Sequence, residues 1–135
     1  MINVIMGLKG SGKTKKLIDS INATAAQAQG SVVCIEYGSN LRYEVKSSVR
    51  LVSSKEYGIN NLDMLKGFLS GLHAGNFDIT HVYIDNLYKT IGSNRANGEA
   101  FVAWCAEFAK VNNMEITITI SDDPAQASEQ MKQYL

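Results

Sequence analysis

Two hydrophobic rhythms alternate along the chain. INVIM (2–6) is an unbroken apolar run ending at Gly7, the pattern of a strand buried on both faces. From Lys13 to about Gln29, Leu17, Ile18, Ile21, Ala25 and Ala28 return at three- and four-residue steps. That is a helix, with Gly30 as its stop. SVVCIEY (31–37) is a second strand, broken by Gly38, Ser39 and Asn40. SVRLVSS (48–54) reads as a short strand. Leu62, Leu65, Phe68, Leu69 and Leu72 place an amphipathic helix over 61–73. HVYID (81–85) is a third strong strand. YKTIGSNRANG (88–98) is polar and glycine-containing, and it reads as a mobile loop. Phe101, Val102, Trp104, Cys105, Phe108 and Val111 mark another helix, and EITITIS (115–121) another strand. Asp123 as cap and Pro124 at the first helical position open a last helix, to about Tyr134.

Strands apolar on both faces, alternating with helices, predict an α/β fold. The expected form is a three-layer α/β/α sandwich around a mainly parallel sheet of four or five strands. At 135 residues, with no internal repeat, linker or low-complexity tract, residues 1–135 read as one domain.

Composition narrows the function classes. Thirteen basic and thirteen acidic side chains cancel, which gives no strong nucleic-acid signal and no pull toward an anionic membrane. The opening apolar run is too short for a secretory leader or a membrane span. Cys34 and Cys105 have no metal spacing and read as buried free thiols. A cytoplasmic protein is expected.

The chemistry sits at residues 7–14, GLKGSGKT, which match the phosphate-loop pattern G-x-x-x-x-G-K-[ST]. With glycine usage near 7%, an accidental match is expected in under roughly 1% of chains this long. The pattern also follows a strand and opens a helix. That lets successive backbone N–H groups and the helix N-terminus converge on phosphate. Gly7, Gly10 and Gly12 allow unusual dihedrals and close backbone approach. Leu8, Lys9 and Ser11 complete the loop, and Lys9 is placed to touch phosphate. Lys13 can reach the β- and γ-phosphates, and Thr14 can offer its hydroxyl to Mg²⁺. Lys15 and Lys16 read as a solvated helix face. Such a loop needs an acid on the metal side at the end of a neighbouring strand. Asp85, at the carboxyl end of HVYID, supplies it, where open parallel sheets bind their ligands. His81 reads as structural and His73 as a complement to a helix dipole.

GLKGSGKT and VYID resemble the Walker A and Walker B motifs of P-loop NTPases. The likeness extends along the chain as alternating strands and helices, though only the two motifs are specific. It implies ATP and Mg²⁺ as ligands. Where many such ATPases place a glutamate after the metal aspartate, this chain has Asn86, which can orient a water but cannot take its proton. RecA-like ATPases often carry the glutamate at the end of the strand after the phosphate-loop helix, and Glu36 resembles it. The plain alternative is a solvent-exposed strand end. EITITIS resembles the later sensor strand, with Ser121 near the γ-phosphate. LRYEVKSSVRLVSSKEY (41–57) is similar in outline to the type II thymidine kinase core, without that family's acidic pair or zinc cysteines. The chain also resembles small stand-alone bacterial ATP-binding proteins.

NNLD (60–63) does not fit a guanine-recognition element and reads as a helix cap, so adenine is the default. Arg42, Arg50 and Arg95 are candidates to neutralise developing charge, and Arg95 stands out because it follows Asp85 in a polar segment. The leading expectation is a Mg²⁺-dependent ATP-binding protein, a RecA-like ATPase of low intrinsic activity. It would need a protein partner or homo-oligomer to complete its site, with Lys13, Glu36 and Arg95 as catalytic candidates. The alternatives are a small-molecule or nucleoside kinase and a non-hydrolysing nucleotide switch.

Overall fold

In the computed structural model, which describes residues 1–135, the five apolar runs become five strands, all parallel. They are β1 (Ile2–Gly7), β2 (Ser31–Glu36), β3 (Arg50–Ser53), β4 (Ile79–Ile84) and β5 (Glu115–Ser121), in the spatial order β1-β5-β4-β2-β3. Parallel neighbours need long crossovers. The helices α1 (Lys13–Gln27), α2 (Leu62–Gly75), α3 (Leu87–Ile91) and α4 (Arg95–Val111) provide three of them. The β2–β3 crossover carries no helix.

Period-two alternation divides the core between two faces. Val33 and Ile35 of β2, with Val82 and Ile84 of β4, join a large cluster with Leu65 and Leu69 of α2 and Phe101, Val102 and Cys105 of α4. Val32, Cys34 and Tyr83 turn the other way, toward Leu17 and Ile21 of α1. The buried Tyr83 hydroxyl is satisfied by Thr24 Oγ1 at 2.7 Å and Ser20 Oγ at 3.2 Å. These layers match the expected sandwich, with one exception. β5 is apolar on one face only: Ile116, Ile118 and Ile120 enter the large core, while Thr117 and Thr119 alternate with them and face the other way.

Residues 88–98 are not the loop their polarity suggests. Leu87, Tyr88, Thr90 and Ile91 of α3 are all buried. Thr90 is tolerated there because its hydroxyl meets that of buried Ser54 at 2.9 Å. Only Gly92, Ser93 and Asn94 separate α3 from α4, and the Asn94 side chain caps α4 by accepting the Asn97 N–H. The expected last helix is broken as well. Asp123 does accept from Ala125 N, but only a 3₁₀ turn (Pro124–Gln126) follows. Ala127 and Ser128 are extended, and Ser128 caps a short α5 (Glu129–Lys132). This segment covers the β1 edge, where the Val4 N–H donates to the Tyr134 carbonyl at 2.8 Å. Asn61 caps α2, as NNLD suggests. Both cysteines are buried free thiols.

Candidate functional site

The register places the site. Gly7, the last residue of β1, lies beside Ser121, the last of β5, and Ile84 lies beside Ile118. Asp85, one residue beyond Ile84, is therefore level with Thr119, and Gly7, Ser121, Asp85 and Thr119 all lie at the carboxyl edge of the sheet. The phosphate loop leaves β1 there. Gly10 and Gly12 take φ of 85° and 87°, which side-chain-bearing residues rarely adopt. Gly12 is the N-cap of α1, and its carbonyl accepts the Lys16 N–H. A side chain at Gly7 would collide with Ser11 Oγ.

The result is a pocket of about 420 Å³ lined only by polar residues and glycine. Lys9, Gly10, Gly12, Lys13, Thr14 and Lys15 come from the loop and first turn, facing Asp85, Asn86, Thr119 and Ser121 from the strand ends. Lys13 Nζ donates to the Leu8 carbonyl at 3.1 Å, and Leu8 itself is exposed. Lys15 forms an exposed pair with Asp19.

Asp85 is held from two directions. Its N–H donates to the Ile35 carbonyl at 2.8 Å, and its Oδ1 accepts the Thr119 hydroxyl at 2.8 Å. Thr119 Oγ1 accepts in turn from the Asn86 N–H at 2.7 Å. Asn86 sits in the left-handed region (φ 55°), turning the chain sharply from β4 into α3. Thr119 escapes a sequence reading because Thr117 and Thr119 are equivalent in the alternation. Only the β4–β5 register selects the one beside Asp85.

Glu36 is neither at the pocket nor exposed. It is buried, with Oε1 accepting from Asn40 N at 2.7 Å and Oε2 from Leu41 N at 3.3 Å. It closes the turn after β2 in this way. Its charge is still felt nearby: burial first, then Asp85 and Glu36, push the Cys34 thiol well above its ordinary range. Arg95 is also outside the pocket. Its Nε and Nη2 donate to the two Asp122 carboxylate oxygens at 2.7 and 2.9 Å. That guanidinium, the largest cause, holds the Asp122 carboxyl below its ordinary value. His81 pairs with Glu115 at 3.2 Å, and His73 packs against Phe77 and Phe108.

The donor set fits a hydrated Mg²⁺ beside phosphate. Thr14 and Asp85 offer hard oxygen donors to one cavity, and Mg²⁺ takes few protein ligands alongside water and phosphate oxygens. No group of three or more His, Cys, Asp or Glu side chains forms a self-sufficient metal cage. No helix is long and apolar enough to cross a membrane.

No family model and no curated protein matches the chain. Among solved structures it is similar to the flagellar accessory protein FlaH from Methanocaldococcus jannaschii, with a TM-score of 0.57 and 13% sequence identity. The match takes in 98% of this chain and 65% of that one. At that identity the likeness is one of fold alone: an α/β domain with a five-stranded parallel sheet and flanking helices.

Proposed function

We propose that the protein binds Mg·ATP at the phosphate loop and hydrolyses it slowly, completing its catalytic site only with a partner or a second copy. The observation that carries this reading is the convergence of Lys13, Thr14 and Asp85 on one wholly polar cavity at the sheet edge. In this reading the loop N–H groups and Lys13 bind the phosphates, with Lys13 leaving the Leu8 carbonyl to do so. Thr14 and Asp85 hold Mg²⁺, which supplies charge neutralisation at the β- and γ-oxygens. Thr119 keeps the Asp85 carboxylate aimed at the cavity.

Slow turnover follows from what stands near the γ-phosphate side. Asn86 lines the cavity where a glutamate would activate water, Glu36 is engaged with backbone amides, and Arg95 is neutralised by Asp122. The same arrangement favours a second reading, a nucleotide switch that does not turn over.

Calorimetry with Mg·ATP tests the binding claim. Lys13→Ala removes a charge-assisted contact of about 1.5–3 kcal/mol, so affinity is expected to fall roughly ten- to a hundredfold. Unchanged affinity would overturn the assignment. Phosphate release measured over a range of protein concentrations tests completion by a second copy. Activity that rises with assembly supports an ATPase site shared between copies and counts against the switch, and none at any concentration rules that completion out.

A further inference from the structure

The phosphate cavity does not end at Asn86 and Ser121. Those two residues and Lys9 also line an adjoining recess of about 240 Å³, completed by Tyr88, Lys89 and Ser93. Beyond it, Tyr88, Ser93 and Ser121 continue into a third recess of about 410 Å³ that ends on the Arg95–Asp122 pair. These recesses are shallow and open to solvent, and together they form a surface channel from the phosphate loop to the turn between α3 and α4.

Charge along this channel is graded. The part next to the phosphate cavity is flanked by Lys9 and Lys89 and has no acidic residue in its lining. Neither lysine belongs to any of the three Lys/Arg–carboxylate ion pairs in the structure. At the far end the charges of Arg95 and Asp122 cancel, leaving neutral hydrogen-bonding groups. Both lysines are exposed side chains on a defined backbone. α3 has four of its five residues buried, so Lys89 projects from an anchored helix, and Lys9 projects from the loop whose turn Gly10 and Gly12 set.

We infer that this channel is a second ligand site, which takes a small organic acid. Its carboxylate or phosphate group would lie between Lys9 and Lys89, and its neutral polar body would point toward Ser93 and the Arg95–Asp122 pair. The inference rests on the Mg·ATP reading, because the acid is placed beside the terminal phosphate. An open recess of about 240 Å³ has room for the charged head of a small molecule and leaves the rest exposed, and charge-assisted hydrogen bonds are the strong ones for holding an anion.

The test uses the full chain saturated with Mg·AMP-PNP, so that the phosphate loop is filled and cannot itself bind the probe. Malate and glycerol 3-phosphate are titrated by calorimetry as the carboxylate and phosphate arms, with glycerol as the uncharged control. At least one acid is expected to bind and glycerol is not, and whichever acid binds identifies the head group. Lys89→Ala should weaken acid binding roughly tenfold, the loss of one charged contact. Lys89→Arg should restore it, Lys110→Ala at the far end of α4 should leave it unchanged, and Mg·AMP-PNP affinity should hold in all three. Failure of both acids to bind overturns the second site, as does acid binding that survives Lys89→Ala. Weakened AMP-PNP binding in Lys89→Ala also overturns it, by assigning the recess to the nucleotide. Absence of AMP-PNP binding in the wild type fails the Mg·ATP reading itself and takes the second site with it.

Discussion

The Thr119 hydroxyl donates to Asp85 and accepts from Asn86 N–H, at 2.8 and 2.7 Å, and so ties the end of β4 to β5 at the point where the sheet meets the phosphate loop. Thr119 is a buried residue, so water does not readily replace these bonds. Thr119→Val keeps the shape and removes both bonds. It leaves a backbone N–H without a partner, at a cost of about 1–3 kcal/mol. Urea denaturation should show that loss. If Asp85 holds Mg²⁺ as proposed, Mg²⁺-dependent ATP affinity should fall further than ATP affinity measured in EDTA, because that carboxylate loses the hydroxyl that orients it. Thr119→Ser should recover most of both.

Glu36 makes an opposite prediction from the one its strand-end position suggests. With both carboxylate oxygens committed to Asn40 and Leu41 N–H groups, its loss is a loss of stability. Glu36→Ala leaves two amides unsatisfied, and Leu41 is itself buried, so a cost of about 1–3 kcal/mol is expected in chemical denaturation. Glu36→Gln retains one acceptor oxygen and should cost less. If the side chain only closes the turn, phosphate release by Glu36→Gln matches the wild type. A collapse of turnover with stability preserved would instead make Glu36 the base.

The residues that could be read directly were those whose role depends on their neighbours in sequence. The strands, α2 with its Asn61 cap and GLKGSGKT all announce themselves through local spacing or composition. What escaped depends on neighbours across the sheet. Thr119 becomes distinct from Thr117 only once Ile118 is paired with Ile84. Glu36 reads as a catalytic glutamate or a solvated strand end until the turn after β2 folds back over it. α3 hides because LYKTI buries a threonine whose partner, Ser54, is 36 residues away. The polar first turn of α4 lies at the exposed edge of the fold, where polarity is compatible with helix as well as loop.

Asn86 is held at φ 55° and ψ 65°, a conformation that costs most side-chain-bearing residues about 1–2 kcal/mol and that asparagine and glycine tolerate. Asn86→Gly should therefore fold with stability close to wild type, while Asn86→Ala should lose about 1 kcal/mol in urea denaturation. Both variants keep the main-chain N–H that Thr119 accepts. Both should retain Mg·ATP binding if the amide side chain serves water rather than phosphate. A loss of binding in Asn86→Gly, with folding intact, would assign the side chain to the nucleotide.

The Arg95–Asp122 pair predicts a pH signature. Arg95 lowers the Asp122 carboxyl from its ordinary 3.8, so the folded state favours the charged carboxylate more than the unfolded chain does. The contribution is fully present above pH 3.8. It fades as the pH falls below that value, through the lowered folded-state titration. Thermal melts of wild type and Asp122→Asn should differ at neutral pH and converge in acid. The gap should narrow in high salt, since Arg95 is largely exposed and its charge is screened. Arg95→Lys should lose the two-pronged geometry, because an ammonium cannot reproduce the fork that meets both oxygens. A gap between wild type and Asp122→Asn that stays constant from neutral pH to well below 3.8 would show that the ion pair contributes nothing to the fold.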